Sequence, residues 1–352
     1  MAVLSERALA EECVFDMIMN AACAARHRAA PGESMRRLLS MTRITILLWG
    51  MSLFAVYSGF RASGDEPSYS CRTYPLKRDG IALHLDCVTL KDKKPEQHIL
   101  LMHGSTYSSH EFDINYQEYS LVRRLAREGY AVWRLDIAGY GQSGKVDDGF
   151  LPDTAYAAED IHAAAKEIAR ISAQDRIDLL GWSWGTMTAG LFAARHPELV
   201  RKLILYAPIL SGLGEQERGE PFSHNTWESA AEDFQKKEDG TFDTEYTDPI
   251  LIELFCSSCW HYDGEYSPRG WSKDACVSGN RKLIDLEHIA APTLLLYGTR
   301  DPYMNRDLLQ KAPDLLPEGS KLQAIEGGSH IMMYEKPCYR QFQEAIVHFL
   351  NS

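Results

Sequence analysis

No repeat, no low-complexity tract and no phosphate-cradling P-loop occurs in this chain of 352 residues, so solenoid, disordered-polymer and P-loop nucleotide-hydrolysing architectures are excluded at the outset. Positive charge is scarce: 37 Lys and Arg stand against 49 Asp and Glu, a formal −12 with a pI near 5.5. A surface of that sign repels a phosphate backbone, which argues against a nucleic-acid partner. The uncharged stretch Ile44 to Phe60 has only 17 residues, short of the roughly 20 that a membrane-crossing helix needs. Metal-ligand spacing is lacking too: Cys256-Ser257-Ser258-Cys259 has no second C-x-x-C and no H-x-x-x-H to accompany it. Gly139-Tyr140-Gly141-Gln142-Ser143-Gly144 spells G-x-G-x-x-G after a strand-like run, yet Lys145 to Pro152 reads as loop where a dinucleotide site needs a helix. No metal and no cofactor are therefore expected. What remains is the composition of an ordinary globular protein.

The amino-terminal end bears on compartment. Arg36, Arg37 and Arg43 precede the uncharged stretch, and Ala62 and Gly64 supply small residues after it, the layout of a secretory signal. Residues 1–64 are accordingly read as a leader, which directs the chain to the periplasm or outside the cell, or anchors it in the membrane through residues 44–60. No lipobox cysteine follows, against a lipoprotein. Six cysteines remain beyond the leader, Cys71, Cys87, Cys256, Cys259, Cys276 and Cys338. An even number in an exported chain suggests disulfides, with Cys71 and Cys87 the nearest local pair and Cys256 with Cys259 read as structural.

Residues Gly181-Trp182-Ser183-Trp184-Gly185 carry the chemistry. Before them Arg176 to Leu180 is a short apolar run suited to a buried parallel strand; after them Thr186 to His196 is suited to a helix. A G-x-S-x-G pentapeptide in that context lifts a serine hydroxyl to the top of a sheet, with the N–H groups and positive dipole end of a helix behind it. A serine hydroxyl is a weak nucleophile until a base takes its proton and a third group holds the base. Downstream, Pro292 to Gly298 reads as a strand whose carboxyl end carries Asp301, and Leu322 to Glu326 as a strand followed by Gly327-Gly328-Ser329-His330. Asp301 is the expected acid and His330 the expected base.

With Ser183, Asp301 and His330 in that order, the chain resembles the α/β-hydrolase superfamily over about residues 75–350. Ile99 to Thr106, with His103-Gly104-Ser105-Thr106 at its end, looks like that family's strand and oxyanion loop. The resemblance implies that the backbone N–H groups of Ser105 and Trp184 hold the oxyanion. Asp136 to Ser143 is similar to the loop that shapes the floor of the site, and His103 is implied to orient its own loop. The implied fold is α/β, a mostly parallel sheet with helices on both faces.

Alternation along the chain agrees with that class: strands are expected near 81–89, 98–103, 130–136, 176–181, 201–207, 293–298 and 321–326, and helices near 118–128, 154–172, 185–196, 304–313 and 339–350. In the helix at 154–172, Ala155, Ala158, Ile161, Ala165 and Ile168 form the expected core stripe. The core is assigned to 65–210 and 289–352, and the interruption at 211–288 is read as a cap. Within 211–250 eleven acidic residues face only Arg218, Lys236 and Lys237, a solvated face or a grip on a cationic substrate. Trp227, Trp260 and Trp271, with Trp182 and Thr106, are candidates for a substrate pocket. The reading is a serine hydrolase that cleaves a carboxylic ester of a small molecule. The alternatives are an aminopeptidase of the proline iminopeptidase branch, which Ser183-Trp184-Gly185 resembles but from which His103-Gly104-Ser105-Thr106 departs where that branch has His-Gly-Gly-Pro, a carbon–carbon hydrolase, and a silent binding module.

Overall fold

A computed structural model describes residues 67–217 and 219–352; the leader, the stretch 44–60 and its proposed anchoring role lie outside the described residues. Strands β1 (Tyr69–Arg78) and β2 (Ile81–Leu90) form an antiparallel hairpin. Asp79 and Gly80 join them, both at positive φ (49° and 86°), the two-residue turn whose twist suits a hairpin. Four parallel strands follow, β3 (Gln97–Met102), β4 (Tyr130–Asp136), β5 (Ile177–Trp182) and β6 (Val200–Tyr206). An insertion then holds a two-stranded ribbon, β7 (Phe222–His224) with β8 (Tyr266–Pro268), before β9 (Thr293–Gly298) and β10 (Lys321–Ile325) complete the sheet. The order is β1-β2-β4-β3-β5-β6-β9-β10, with only β1 and β2 antiparallel to their neighbours.

The helices are α1 (Leu121–Arg127), α2 (Thr154–Ser172), α3 (Trp184–Arg195), α4 (Trp227–Ala230), α5 (Pro249–Asp263), α6 (Ser272–Ala275), α7 (Arg306–Lys311) and α8 (Tyr339–Asn351). Residues of α1 and α8 share one core with the sheet, and residues of α2 and α3 share the other. Every residue of β4 and β5 is buried, because the sheet is covered on both faces, so neither strand alternates between buried and exposed positions. Helix α2 starts on Asp153, whose carboxylate accepts the Tyr156 N–H at 3.0 Å, and buries Ala157, Ala158, Ile161, Ala164, Ala165 and Ile168. Ala155, expected in that stripe, is exposed.

The expected disulfides are not formed: all six cysteines among the described residues are free thiols. For Cys71 and Cys87 the reason is register. Cys71 lies opposite Val88 and Cys87 opposite Arg72, one residue apart in the ladder, so their side chains leave opposite faces of the sheet, Cys71 exposed and Cys87 buried. Cys256 and Cys259 point from α5 into the core near Phe255 and act there as small apolar side chains. Among the described residues no helix is long and apolar enough to cross a membrane.

The insertion docks on loops at the carboxyl ends of the parallel strands. Asp263 reaches the loops after β3 and β4, and Gln235 donates to the Gly327 carbonyl (3.0 Å) in the loop after β10. In a parallel α/β sheet that end is where ligands bind.

Candidate active site

Strand β5 ends at Trp182, and the next residue turns sharply into α3: Ser183 sits at φ 56°, ψ −123°. A side chain there costs of order 1–3 kcal/mol, and the surroundings must enforce it. They do so from both sides, the Ser183 N–H bonding the Tyr206 carbonyl (3.0 Å) and the Ser183 carbonyl accepting the Thr186 N–H (2.9 Å). The flanking glycines are dictated by backbone proximity. A Cβ on Gly181 would lie 2.1 Å from the Gly185 oxygen, and one on Gly185 would lie 2.5 and 2.6 Å from the Met102 and His103 oxygens. Since carbonyls of β3 cannot swing away as a flexible side chain can, Gly185→Ala will cost about 4 kcal/mol or more, a large part of a typical 5–15 kcal/mol stability. Equilibrium urea denaturation measures it, and a loss below about 1 kcal/mol would contradict the packing described.

His330 and Asp301 come from loops tied to each other through the Arg300 N–H on the Gly328 carbonyl (2.8 Å) and the Thr299 N–H on the Ile325 carbonyl (3.0 Å). His330 Nδ1 lies 2.8 Å from Asp301 Oδ2, while Asp301 Oδ1 accepts the Tyr303 N–H at 2.9 Å. Both side chains are buried. An Asp301 carboxylate accepts a hydrogen bond from Nδ1–H, which keeps the proton on Nδ1 and leaves Nε2 as the basic nitrogen. The His330 carbonyl accepts from Trp182 Nε1 (3.0 Å) and Tyr206 Oη (2.7 Å), which fastens the histidine to the strand that ends at Ser183 and to its neighbour β6. Burial alone would lower the imidazole pKa; the bonded Asp301 carboxylate, and Asp233 beyond it, outweigh burial and hold it above the ordinary 6.5. A base must be unprotonated to work, so the acid limb of kcat/KM is expected with its midpoint above pH 6.5. A pH–rate profile still flat at pH 6 would remove His330 from that role.

Gly104 passes close to Ser183: a Cβ there would stand 3.6 Å from Ser183 Cβ. The loop is held by Glu111 Oε1 accepting the Gly104 N–H (2.7 Å) and by Tyr140 Oη 2.9 Å from the Ser105 carbonyl. Burial raises the Glu111 carboxyl well above the usual carboxylate range. His103 has both ring nitrogens engaged by backbone, Nδ1 with the Gly104 carbonyl (2.9 Å) and Nε2 with the Ile137 N–H (3.1 Å), and burial lowers its pKa. It orients the loop. Ser105 and Thr106 are half-buried in it.

Comparison with known proteins places this arrangement. A family model described as serine aminopeptidase S33 matches residues 93–337, more than half of the chain. The chain belongs to that family of α/β-hydrolases. A proline iminopeptidase from Lactobacillus delbrueckii subsp. bulgaricus is 37% identical over 118 residues, which takes in 32% of this chain and 36% of that protein. The chain therefore spans only about a third of the curated relative it matches. Two solved structures share the fold: naproxen esterase from Bacillus subtilis (TM-score 0.57, 18% identity, 81% of this chain and 93% of that one) and epoxide hydrolase A from Mycobacterium thermoresistibile (TM-score 0.55, 15% identity, 80% and 99%).

Not every expected residue of this S33 hydrolase meets the site. Trp184 is turned into the core, its Nε1 donating to Thr154 Oγ1 (3.0 Å) and its ring beside His103 and Tyr140. Trp182 is likewise buried, between Tyr206 and Phe112, and serves to hold His330 rather than to line an open pocket. On the insertion Trp227 and Trp260 are 39% and 50% exposed, and Trp271 packs against the core shared by α2 and α3. Among the described residues, no hydrogen bond or ring contact joins these three to Ser183, Asp301 or His330. The sequence reading missed Asp233, Tyr303, Tyr206 and Glu111. Asp233 is half-buried beside His330, with burial raising its pKa and the imidazole opposing that, and the Tyr303 ring stands edge-on to His330 at 4.7 Å. Among the described residues, two groups bring three potential metal ligands within 4.8 Å, Glu159 with His162 and His196, and His84 with His110 and Asp136. In each the carboxylate is already engaged, Glu159 by Arg195 and Asp136 by Ser109 and Gln142, and neither group contains a residue of the site. Beyond Gly144 the chain stays irregular until α2 begins at Thr154, so no helix starts on the glycine-rich turn.

Proposed function

We propose that this S33 hydrolase cleaves a carboxylic ester of a small molecule in two half-reactions on Ser183. Nε2 of His330 removes the Ser183 hydroxyl proton as Oγ attacks the carbonyl carbon. The oxygen gains negative charge and is held by the backbone N–H groups of Ser105 and Trp184. The tetrahedral intermediate collapses, the carbon–oxygen bond of the ester breaks, and His330 returns its proton to the leaving alcohol. Water then enters, gives its proton to His330 and attacks the acyl-enzyme, which releases the acid and restores Ser183. Asp301 keeps the imidazole in the tautomer with Nδ1 protonated throughout. The observation that carries the reading is the buried Asp301–His330 pair, 2.8 Å between heavy atoms, whose carbonyl is fastened to the strand ending in the strained Ser183.

A second reading, an aminopeptidase, is favoured by a specific feature: Asp233, with Glu232 next to it in sequence, brings a carboxyl group beside His330, and a carboxylate is the group that pairs with a peptide's ammonium. The proline iminopeptidase similarity points the same way. One panel separates them, p-nitrophenyl esters of graded acyl length beside aminoacyl-nitroanilides. Ester turnover supports the first reading; turnover of anilides alone replaces it with the second. Turnover of neither overturns both: labelling by a fluorophosphonate then leaves carbon–carbon cleavage, and no labelling leaves a binding role.

A further inference from the structure

The insertion ends its longest helix, α5, on a carboxylate aimed at the catalytic loops. Asp263 is 6% exposed. Its Oδ2 accepts both the Ser108 N–H and the Ser108 hydroxyl at 3.0 Å, and its Oδ1 accepts the Gly141 N–H at 2.9 Å. Ser108 belongs to the loop after β3, which carries Ser105; Gly141 belongs to the loop after β4, which carries Tyr140. A short hydrogen-bonded path leads on from Ser108, whose carbonyl accepts the Glu111 N–H (3.1 Å), and the Glu111 carboxyl in turn holds the Gly104 N–H. The insertion reaches the same loop again through Tyr140, whose hydroxyl sits 2.9 Å from the Ser105 carbonyl and 2.8 Å from that of Pro268 in β8. Both flanks of the Ser105 N–H are thus set by residues that the insertion braces.

An anchor that only filled space would not require a charge. The groups around Asp263 are Glu111, Tyr107 and His110 of the first loop, Asp136 at the end of β4, Tyr140 of the second loop, and Cys259 one turn back on α5; burial lowers the His110 pKa to about 4, and the cation nearby, Lys145, is turned to the Gly139 and Gly141 carbonyls (both 3.4 Å). Burying a carboxylate there is costly, and what offsets the cost is three converging donors that no apolar side chain would satisfy. We infer that Asp263 is a positioning residue through which the insertion holds the oxyanion loop in register with Ser183, so that seating of the insertion and stabilisation of the oxyanion are coupled. The inference rests on the acyl-enzyme reading above. Burial, opposed by the Ser108 and Gly141 donors and aided by Asp136, pushes the carboxyl up to about 7. Protonation turns one acceptor oxygen into a donor, so one of the three bonds is lost as pH falls.

Steady-state kinetics of the full chain on a p-nitrophenyl ester, from pH 5 to 9, test this in wild type, Asp263→Asn and Ser108→Ala. Wild type is expected to lose kcat/KM with two ionisations on the acid side, one from His330 and one from Asp263. Asp263→Asn is expected to keep one, with kcat down about 10- to 100-fold and KM nearly unchanged, the signature of a misplaced oxyanion donor. Ser108→Ala keeps the carboxylate but removes a donor that favours its charged form, so the Asp263 ionisation moves up in pH. It keeps the question open to refutation if Asp263→Asn does not fold. An Asp263→Asn enzyme with wild-type kcat, or a single acid-side ionisation in wild type that Ser108→Ala leaves in place, overturns the inference. Failure of the underlying reading looks different, because wild type would then neither turn over esters nor react with a fluorophosphonate.

Discussion

Ser183→Ala will lower kcat on an ester by about 10⁶-fold, the scale on which removal of a triad nucleophile acts. The deletion removes one oxygen and leaves the fold as it is. The turn at φ 56° is equally strained for alanine, the Tyr206 and Thr186 bonds use backbone atoms of residue 183, and the tight approaches at Gly181 and Gly185 are untouched. Stability should therefore change by no more than about 0.5 kcal/mol, and KM should move little, because substrate binding is a matter of the pocket and the oxyanion donors. A fluorophosphonate that labels wild type will leave the variant unlabelled. The measurement is active-site-titrated turnover with a blank for spontaneous hydrolysis, since the residual rate from the donors alone remains only about 10³–10⁴ above water. A variant that kept one per cent of wild-type turnover, folded and free of wild-type contamination, would end the acyl-enzyme reading.

What could be read from the sequence divides along a physical line. The parallel strands and the helices that cover them were legible because each obeys a local rule, an apolar run or a 3.6-residue stripe, and the strand-to-helix context of Gly181 to Gly185 is local as well. Asp301 and His330 could be singled out because this topology puts loops at the ends of successive strands on one edge of the sheet; their 2.8 Å approach is tertiary. Strand β1 went unread because its edge position leaves it mostly exposed, with no apolar run, although Asp79-Gly80 was a hairpin signal in plain sight. The expected Cys71–Cys87 bridge failed on a one-residue register that no count of cysteines contains. The direction of the Trp184 ring was not legible because a residue's place along the chain says nothing of which way its ring points once α3 begins; it points to Thr154. Asp233 and Asp263 were two acids among many until the insertion folded them against His330 and Ser108.

Asp301→Asn should cost less than loss of the nucleophile but still about 10⁴-fold in kcat, and for a reason visible in the hydrogen bonds. Asp301 Oδ1 accepts the Tyr303 N–H and Oδ2 lies 2.8 Å from His330 Nδ1. An asparagine has one oxygen for these two positions. If that oxygen stays with the Tyr303 N–H, the amide nitrogen faces Nδ1 and donates to it. The imidazole then carries its proton on Nε2, the nitrogen that has to accept the Ser183 proton. Turning the amide over sets a donor against the Tyr303 N–H inside a buried loop, an unmade hydrogen bond of about 1–3 kcal/mol, so the first orientation prevails. Two readouts distinguish this from general damage. With the carboxylate gone, burial is the larger influence left on His330, and the acid limb of kcat/KM should shift down in pH instead of up. The oxyanion donors are unaffected, so KM should stay within a few-fold of wild type. A loss below about tenfold with the acid limb unmoved would mean that another group, Asp233 being the nearest candidate, orients the histidine during turnover.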